Sequence, residues 1–172
     1  GDTTLEGNAA TFSSGVAGDN NSLSLNFTGA ATAIDGGFAN IATLTADSAV
    51  TLNGTVQTNL DQVYNSNVSL LGDTTLEGNA ATFSSGVAGG NNSLSLNFTG
   101  VTTALDGSFA NIATLTADSA VSLNGTVQTN LDQVYNSNVS LVGDTTLEGN
   151  AATFSSGVAG GDNDLTLNFA AT

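Results

Sequence analysis

The chain contains no Lys, Arg, His, Cys, Met, Trp or Pro among its 172 residues. Without His, Cys or Lys it has no Ser-His-Asp or Cys-His nucleophile, no Schiff-base lysine, and no imidazole or thiolate metal ligand. Without Lys or Arg it cannot neutralise phosphates, and its formal net charge of −15 repels them. Its apolar runs are also too short for a transmembrane helix. The composition therefore predicts a protein that is not an enzyme, has no nucleic-acid partner and does not insert into membranes.

A long repeat dominates what is present. The motif GDTTLEGNAATFSSGVAG begins at positions 1, 72 and 143, so the sequence repeats with one fixed period. The first two copies differ only at positions 19, 30, 31, 34, 37, 51 and 71 of the first copy. We expect repeats at 1–71 and 72–142 and a partial repeat at 143–172, all in one continuous solenoid. Because the chain begins without Met and ends inside a copy, we expect it to be a segment of a longer array.

A finer pattern predicts the fold. Tripeptides of an apolar residue, an acid or Asn, and Gly recur at 5–7, 34–36 and 52–54, and the next copy resumes the series at 76–78. Segments between them alternate apolar and polar residues, which is typical of short β-strands. Three sub-units per copy, each of roughly 24 residues, match the coil of a β-solenoid. The sequence predicts an all-β protein, a parallel β-solenoid with about three coils per 71-residue repeat. The alternative is a string of small antiparallel sandwiches, which the lack of any recognisable linker disfavours.

Residues 60–78 and 131–149 carry a family resemblance. The residues concerned in the first segment are Asp61, Gln62, Tyr64, Val68, Leu70, Asp73, Thr74, Thr75, Leu76 and Gly78. In this pattern the chain resembles the repeats of filamentous-haemagglutinin-like bacterial surface proteins, which are exported by two-partner secretion or as autotransporters. The resemblance implies a right-handed parallel β-helix, an extracellular, cell-surface location and structural or adhesive work.

Two kinds of site are suggested by residue type. Asp19, Asp162 and Asp164 lie in oxygen-rich turns that suit a hard cation, so they are candidates for weakly bound Ca²⁺, and no other cofactor is expected. Asn26 and Asn97 begin Asn-x-Thr sequons and point away from the Leu–Phe face of their strands, so they are candidates for glycans. Asparagines of turns and ladders are the other interpretation of the sequons. Tyr64 is expected in the core, or exposed for contacts between fibres.

Three classes of function are compared. Acids that recur with the repeat are typical of solvated turns rather than of one catalytic constellation, which disfavours an enzyme. The sequence favours a structural segment of a long extracellular fibre built from tandem repeats, and the alternative is an adhesin that binds host or neighbouring cells. The expected partner is the same protein, through end-to-end self-association or through continuation of the chain.

Overall fold

The computed structural model describes residues 1–170, which form nineteen β-strands, numbered β1 to β19 along the chain, and no helix. Since residues 1–170 form no helix, this part of the chain has no helix that could span a membrane. The strands are Thr3–Gly7, Thr11–Phe12, Val16–Phe27, Thr32–Asp35, Phe38–Ala46, Val50–Thr58, Gln62–Tyr64, Val68–Gly78, Ala81–Phe83, Gly86–Ala88, Leu94–Phe98, Thr103–Ile112, Leu115–Ala117, Val121–Thr129, Asp132–Tyr135, Val139–Gly149, Ala151–Phe154, Val158–Ala159 and Leu165–Phe169.

All strand pairs are parallel, and each segment pairs with the segment one coil further on, as Leu5 does with Leu25 and Leu52 does with Leu70. The pairing arranges the segments in three columns, which we number 1 to 3, so one coil contributes one segment to each column. Column 1 contains 3–7, 23–27, 44–46, 62–64, 81–83, 103–106, 121–124, 139–141 and 158–159. Column 2 contains 11–12, 32–35, 50–53, 68–70, 86–88, 108–112, 126–129, 145–149 and 165–169. Column 3 contains 16–17, 38–41, 54–58, 74–78, 94–98, 115–117, 132–135 and 151–154. Eight coils and two further segments make a parallel β-solenoid, which confirms the predicted fold class.

The coil is shorter than the sub-unit of roughly 24 residues that the tripeptides suggested. Ile34 and Leu52, which begin two successive tripeptides, lie one above the other in column 2. Leu5 lies in column 1 and Leu76 in column 3, so the two longer tripeptide spacings each span one coil plus one strand. One repeat therefore contains eleven strand segments, or three coils and two-thirds of a fourth. Each copy begins two columns further round the solenoid than the copy before it: Thr3–Gly7 in column 1, 74–78 in column 3 and 145–149 in column 2.

The core runs along the solenoid axis and is built by alternation within each strand. Leu23, Leu25 and Phe27 are buried, whereas Ser24 between them is only half-buried and Asn26 is exposed. Stacking continues the pattern from coil to coil, since Leu5, Leu25 and then Ala46 follow one another in column 1. Each buried aliphatic or aromatic side chain contributes about 1.5–3 kcal/mol relative to an exposed one. Neighbouring coils are therefore held by both the backbone ladder and the core.

Aromatic side chains form part of this core. Tyr64 stacks on Phe83 with ring centroids 5.1 Å apart, and Tyr135 stacks on Phe154 at 5.2 Å. Phe83 also meets Phe109 edge to face at 5.4 Å. The two residues of each stacked pair are partners on adjacent coils of the same column, column 1 for Tyr64–Phe83 and column 3 for Tyr135–Phe154.

Candidate functional site

Acidic side chains at the corners of the solenoid are paired with asparagines of the next coil. At six places an Asn Nδ2 donates a hydrogen bond of 2.7–2.8 Å to Oδ1 of an Asp in the coil below. Hydrogen bonds to a charged carboxylate are stronger than those between neutral groups. The asparagines thus stabilise carboxylates in a chain that has no cationic side chain. The pairs are Asp35–Asn53, Asp47–Asn65, Asp61–Asn79, Asp106–Asn124, Asp118–Asn136 and Asp132–Asn150.

Along the corner between columns 1 and 2, one residue from each coil contributes to a continuous outer row of side chains, which we call a corner row. From the first coil upward it reads Glu6, Asn26, Asp47, Asn65, Ser84, Asp106, Asn124 and Val142. No acid in this row lies directly above another acid. Adjacent coils are about 4.8 Å apart, a distance at which two carboxylates would repel. The alternation of acid and amide or hydroxyl side chains therefore makes a highly acidic surface compatible with close stacking.

The second copy builds the same row on another side of the molecule. Glu77, Asn97, Asp118, Asn136 and Ser155 follow one another at the corner between columns 3 and 1. This row carries the residues of Glu6 to Ser84 in the same order. A longer array would therefore present one row to each of three directions.

Glycines leave room for the corner asparagines. A Cβ atom added to Gly72 would lie 2.0 Å from Asn53 Oδ1, and one added to Gly143 would lie 2.0 Å from Asn124 Oδ1. Both distances are far below a van der Waals contact. A side chain at either position would therefore displace the asparagine amide of the coil below from its present place.

A second type of carboxylate contact uses backbone N–H groups. Asp2 and Asp73 accept hydrogen bonds of 2.8 Å from the N–H of Ser22 and Ser93, and Asp144 accepts one of 3.0 Å from the N–H of Asp164. Each contact joins the beginning of a copy to the coil above it. These carboxylates therefore act as caps for backbone groups at an irregular corner.

A buried polar pair lies inside the core. Gln62 Nε2 donates to the carbonyl oxygens of Val56 and Glu77, both at 2.9 Å, and Tyr64 Oη donates to Gln62 Oε1 at 2.8 Å. Gln62 and Tyr64 are both fully buried. The second copy repeats the arrangement with Gln133 and Tyr135 at 2.8–3.0 Å. The amide therefore satisfies two carbonyls and orders the tyrosine.

Burial also sets the protonation of these tyrosines. Removal from water raises the pKa of both Tyr64 and Tyr135 well above 10, because the phenolate would lose its hydration. Neither hydroxyl is available to a neighbouring molecule. The interpretation of Tyr64 as a core residue is confirmed, and its alternative as an exposed fibre contact is wrong.

The calcium candidates lie in exposed turns. Asp19 has a left-handed backbone with φ of 49°, and its carbonyl oxygen accepts a hydrogen bond of 3.1 Å from Asn21 Nδ2. Asp162 and Asp164 are exposed as well. Within residues 1–170, no three acidic side chains come close enough together to hold a metal ion. Weak Ca²⁺ binding at these turns stays a prediction, and the geometry gives it no ligand set of the six to eight oxygens that Ca²⁺ takes.

The two glycan candidates lie where the alternation placed them. Asn26 and Asn97 are exposed, on strands whose Leu25, Phe27 and Phe98 side chains are buried. Both are members of corner rows. Their modification stays a prediction, since exposure permits a glycan and does not require one.

The outer surface is shallow and mainly polar, with separate exposed aliphatic side chains at Leu60, Leu71, Val101, Leu131 and Val142. No Phe or Tyr of residues 1–170 is fully exposed, and those of the terminal coils (Phe12, Phe154 and Phe169) are half-buried. A groove of about 540 Å³ runs along the corner of the second copy, where Glu77, Asn97 and Asp118 lie. It offers carboxylate, amide and hydroxyl groups and no exposed aromatic platform on which a sugar ring could stack.

Comparison of the chain with protein-family models, with curated proteins and with solved structures gives no match. The parallel solenoid is compatible with β-helix repeat proteins.

Sequence reasoning missed both polar networks. A signal for the corner pairs was present, because Asp35, Asp47 and Asp61 are each followed by an Asn at the same distance along the chain. That spacing acquires meaning only when the coil length is known. For Gln62 no such signal exists, since glutamine is usually a surface residue.

Proposed function

We propose that this chain is a structural segment of a long extracellular β-solenoid fibre at a cell surface. One observation carries the proposal: the parallel ladder continues through the boundaries between copies. The strands Val68–Gly78 and Val139–Gly149 each cross such a boundary and pair with strands of the coils below and above. In a solenoid each coil is stabilised by its neighbours, so added copies extend the rod without a new fold.

The surface supports structural work. The corner pairs and backbone caps occupy most carboxylates within the rod, and the aromatic side chains that dominate binding interfaces face inward. The absence of Lys and Arg also removes every cleavage position for trypsin-like proteases. These properties suit an exposed filament better than an adhesin, which needs a distinctive contact patch.

The resemblance to filamentous-haemagglutinin-like surface proteins belongs to the same proposal. The solenoid fold and the stacked repeats support it, and the outer-surface location follows from it. Ca²⁺ bound weakly to the acidic surface and glycans at Asn26 and Asn97 would be compatible additions to such a fibre.

The test is electron cryo-microscopy of the cells that make the protein, with an antibody against residues 60–78 applied to intact cells. We expect labelled thin rods and a layer line near 4.8 Å, about the spacing of paired strands. In purified proteins with two, three and four copies, each added copy should lengthen the rod by about 18 Å, since it adds three and two-thirds coils. Label confined to the cell interior, or beads spaced tens of ångströms apart, would contradict the proposal.

A further inference from the structure

The C-terminal end of column 3 presents a strand edge of defined sequence. Ala151–Phe154 pairs with Asp132–Tyr135 below it, and no strand of residues 1–170 lies above it. Phe154 is half-buried, although the corresponding Phe83 is only 1% exposed. Next to it, Val158 and Leu167 are 39% and 51% exposed. Among residues 1–170 this strand is therefore an unpaired edge with an apolar centre.

The interior of the molecule shows what covers such an edge. Ala81–Phe83 has the same sequence as Ala152–Phe154, and the strand above it carries Thr103-Ala104-Leu105-Asp106-Gly107. In that stack Leu105 lies over Phe83 and is itself 1% exposed. The acid that follows, Asp106, lies at the corner above Ser84.

The first strand of the chain has the same pattern. Thr3-Thr4-Leu5-Glu6-Gly7 matches Thr103 to Gly107 in its threonine, leucine, acid and glycine. Its lower edge has no partner among residues 1–170, and Leu5 and Phe12 are only half-buried. These two side chains and Val16 line a cavity of about 380 Å³ at this end.

We propose that a second copy of this chain docks its first coil on the last coil of the first, with Thr3–Gly7 above Ala151–Phe154. This rests on the proposed fibre function and specifies the axial contact between two separate copies of the 172-residue chain. Leu5 then lies over Phe154 and Glu6 over Ser155, as Leu105 and Asp106 lie over Phe83 and Ser84. Phe12 lies over Val158, as Phe109 lies over Val87.

The geometry of the columns fits this contact. The last strand, Leu165–Phe169, ends in column 2, so the next position round the coil is the top of column 3. The docked copy begins there and is turned by two columns, the same turn that separates successive repeats within one chain. The corner between Leu5 and Phe12 contains more residues than the corner between Leu105 and Phe109. The fold accommodates corners of unequal length on adjacent coils. One example is the corner from Leu141 to Leu147, which lies above the shorter corner from Leu123 to Val127.

The interface is head-to-tail, so it generates an open filament rather than a closed dimer. Strand addition to an open edge supplies backbone hydrogen bonds, and the apolar centre supplies burial. Fifteen carboxylates per chain oppose the contact through long-range repulsion. Salt screens this repulsion, so assembly should strengthen with ionic strength.

The experiment uses the 172-residue protein and two end variants in sedimentation velocity and negative-stain microscopy. The unmodified protein should form rods in steps of about 42 Å, the length of eight and two-thirds coils. Leu5→Asp blocks the lower end and Phe154→Asp the upper end, so each variant alone should remain a monomer. An equimolar mixture should form a one-to-one dimer and nothing longer, because each variant retains one good end.

Matched controls place the same charge on the outer side of the same strands. Thr4→Asp and Thr153→Asp change exposed residues and should still assemble. Circular dichroism checks that the monomers are folded, and Val158→Asp provides a second upper-end variant at a side chain that is already 39% exposed. Monomeric unmodified protein at every concentration and salt, or assembly that the end variants leave intact, would overturn the docking. Rods on intact cells would still stand in that case, so the two proposals fail separately.

Discussion

The two complete copies of the repeat, residues 1–71 and 72–142, lie on different sides of the same rod. Their sequences are almost identical, but every segment of the second copy is two columns further round than its counterpart. The local geometry is nevertheless the same. Tyr64 donates to Gln62 at 2.8 Å in column 1, and Tyr135 donates to Gln133 at 2.9 Å in column 3.

The difference shows that a segment's surroundings are set by the coils above and below it, and not by its side of the rod. Leu76 is fully buried because strands lie on both edges of its strand, whereas its counterpart Leu5 in the first coil is only half-buried. The three columns are equivalent, and the ends are not. Stability should therefore behave as a sum of nearest-neighbour terms.

The largest expected effect comes from a glycine in the middle of the rod. A Cβ at Gly86 would lie 2.1 Å from the carbonyl oxygen of Ser108, and the backbone has φ of +86°. Left-handed strain alone costs about 1–2 kcal/mol, so with the clash Gly86→Ala should cost more than about 2 kcal/mol in urea unfolding. The counterpart Gly15→Ala should mainly fray the first coil and lower the global midpoint less. Gly37→Ala is the matched control, because nothing lies within 4 Å of its Cβ position.

The buried glutamines test whether the columns are equivalent. Gln62→Leu leaves the Val56 carbonyl and the Tyr64 hydroxyl without their partner in the core. An unsatisfied buried group costs about 1–3 kcal/mol, so the loss should be about 2 kcal/mol, less than that of Gly86→Ala. Gln133→Leu should cost the same within about 0.5 kcal/mol, a limit set by ordinary non-additivity. Gln133 lies one coil below the upper end, so fraying can only reduce its cost. A larger cost for Gln133→Leu than for Gln62→Leu in parallel urea titrations would therefore mean that the columns differ.

High pH should weaken both copies through their tyrosines. Burial raises the folded-state pKa of Tyr64 and Tyr135 above the ordinary value of 10. The folded state then holds its phenolic protons while the unfolded state releases them, so stability is complete below about pH 10 and falls as the pH rises further. Ultraviolet titration at the phenolate band should show no ionisation until the rod unfolds. Early ionisation of the folded protein would contradict the buried network.

The strands and the fold class could be predicted from the sequence, because the alternation of Leu23, Leu25 and Phe27 with polar residues is a local property. The coil length could not, since corners vary in length and the tripeptides mark coils unevenly. Column assignment follows from coil length, so the Asp35–Asn53 pair and the two-column turn of each copy required the structure. The Gln62 network depends on carbonyls that come from two other strands, which no local pattern identifies.

An acidic residue placed directly above another acidic residue at a corner should destabilise the fold. Asn53→Asp removes the donor to Asp35 and sets two carboxylates against each other. At a partly exposed corner the expected cost is about 1 kcal/mol at neutral pH. Protonation of either carboxyl group removes the repulsion, so stability should recover as the pH falls towards the ordinary carboxylate range of about 4. Asn53→Ser is the control, since it loses the donor without a charge and its loss should not vary in this way. A pH-independent loss in Asn53→Asp would rule out carboxylate stacking.

The smallest effect tests one of the seven positions where the copies differ. Asp19 has φ of 49°, and the corresponding Gly90 and Gly161 have φ of 57° and 60°. A left-handed backbone is costly for residues with a Cβ, less so for Asp, whereas Gly adopts it freely but loses more entropy on folding. We expect Asp19→Gly to stabilise the first copy by about 0.5 kcal/mol in urea unfolding, and Gly90→Asp to destabilise the second by a similar amount. Opposite signs in this reciprocal pair would show that the two copies share one corner geometry, because the same exchange then has the same value on two sides of the rod. Equal signs would mean that the corner has a different backbone geometry in the two copies, one within the uninterrupted strand Val16–Phe27 and one in the non-strand segment at Gly90–Asn91.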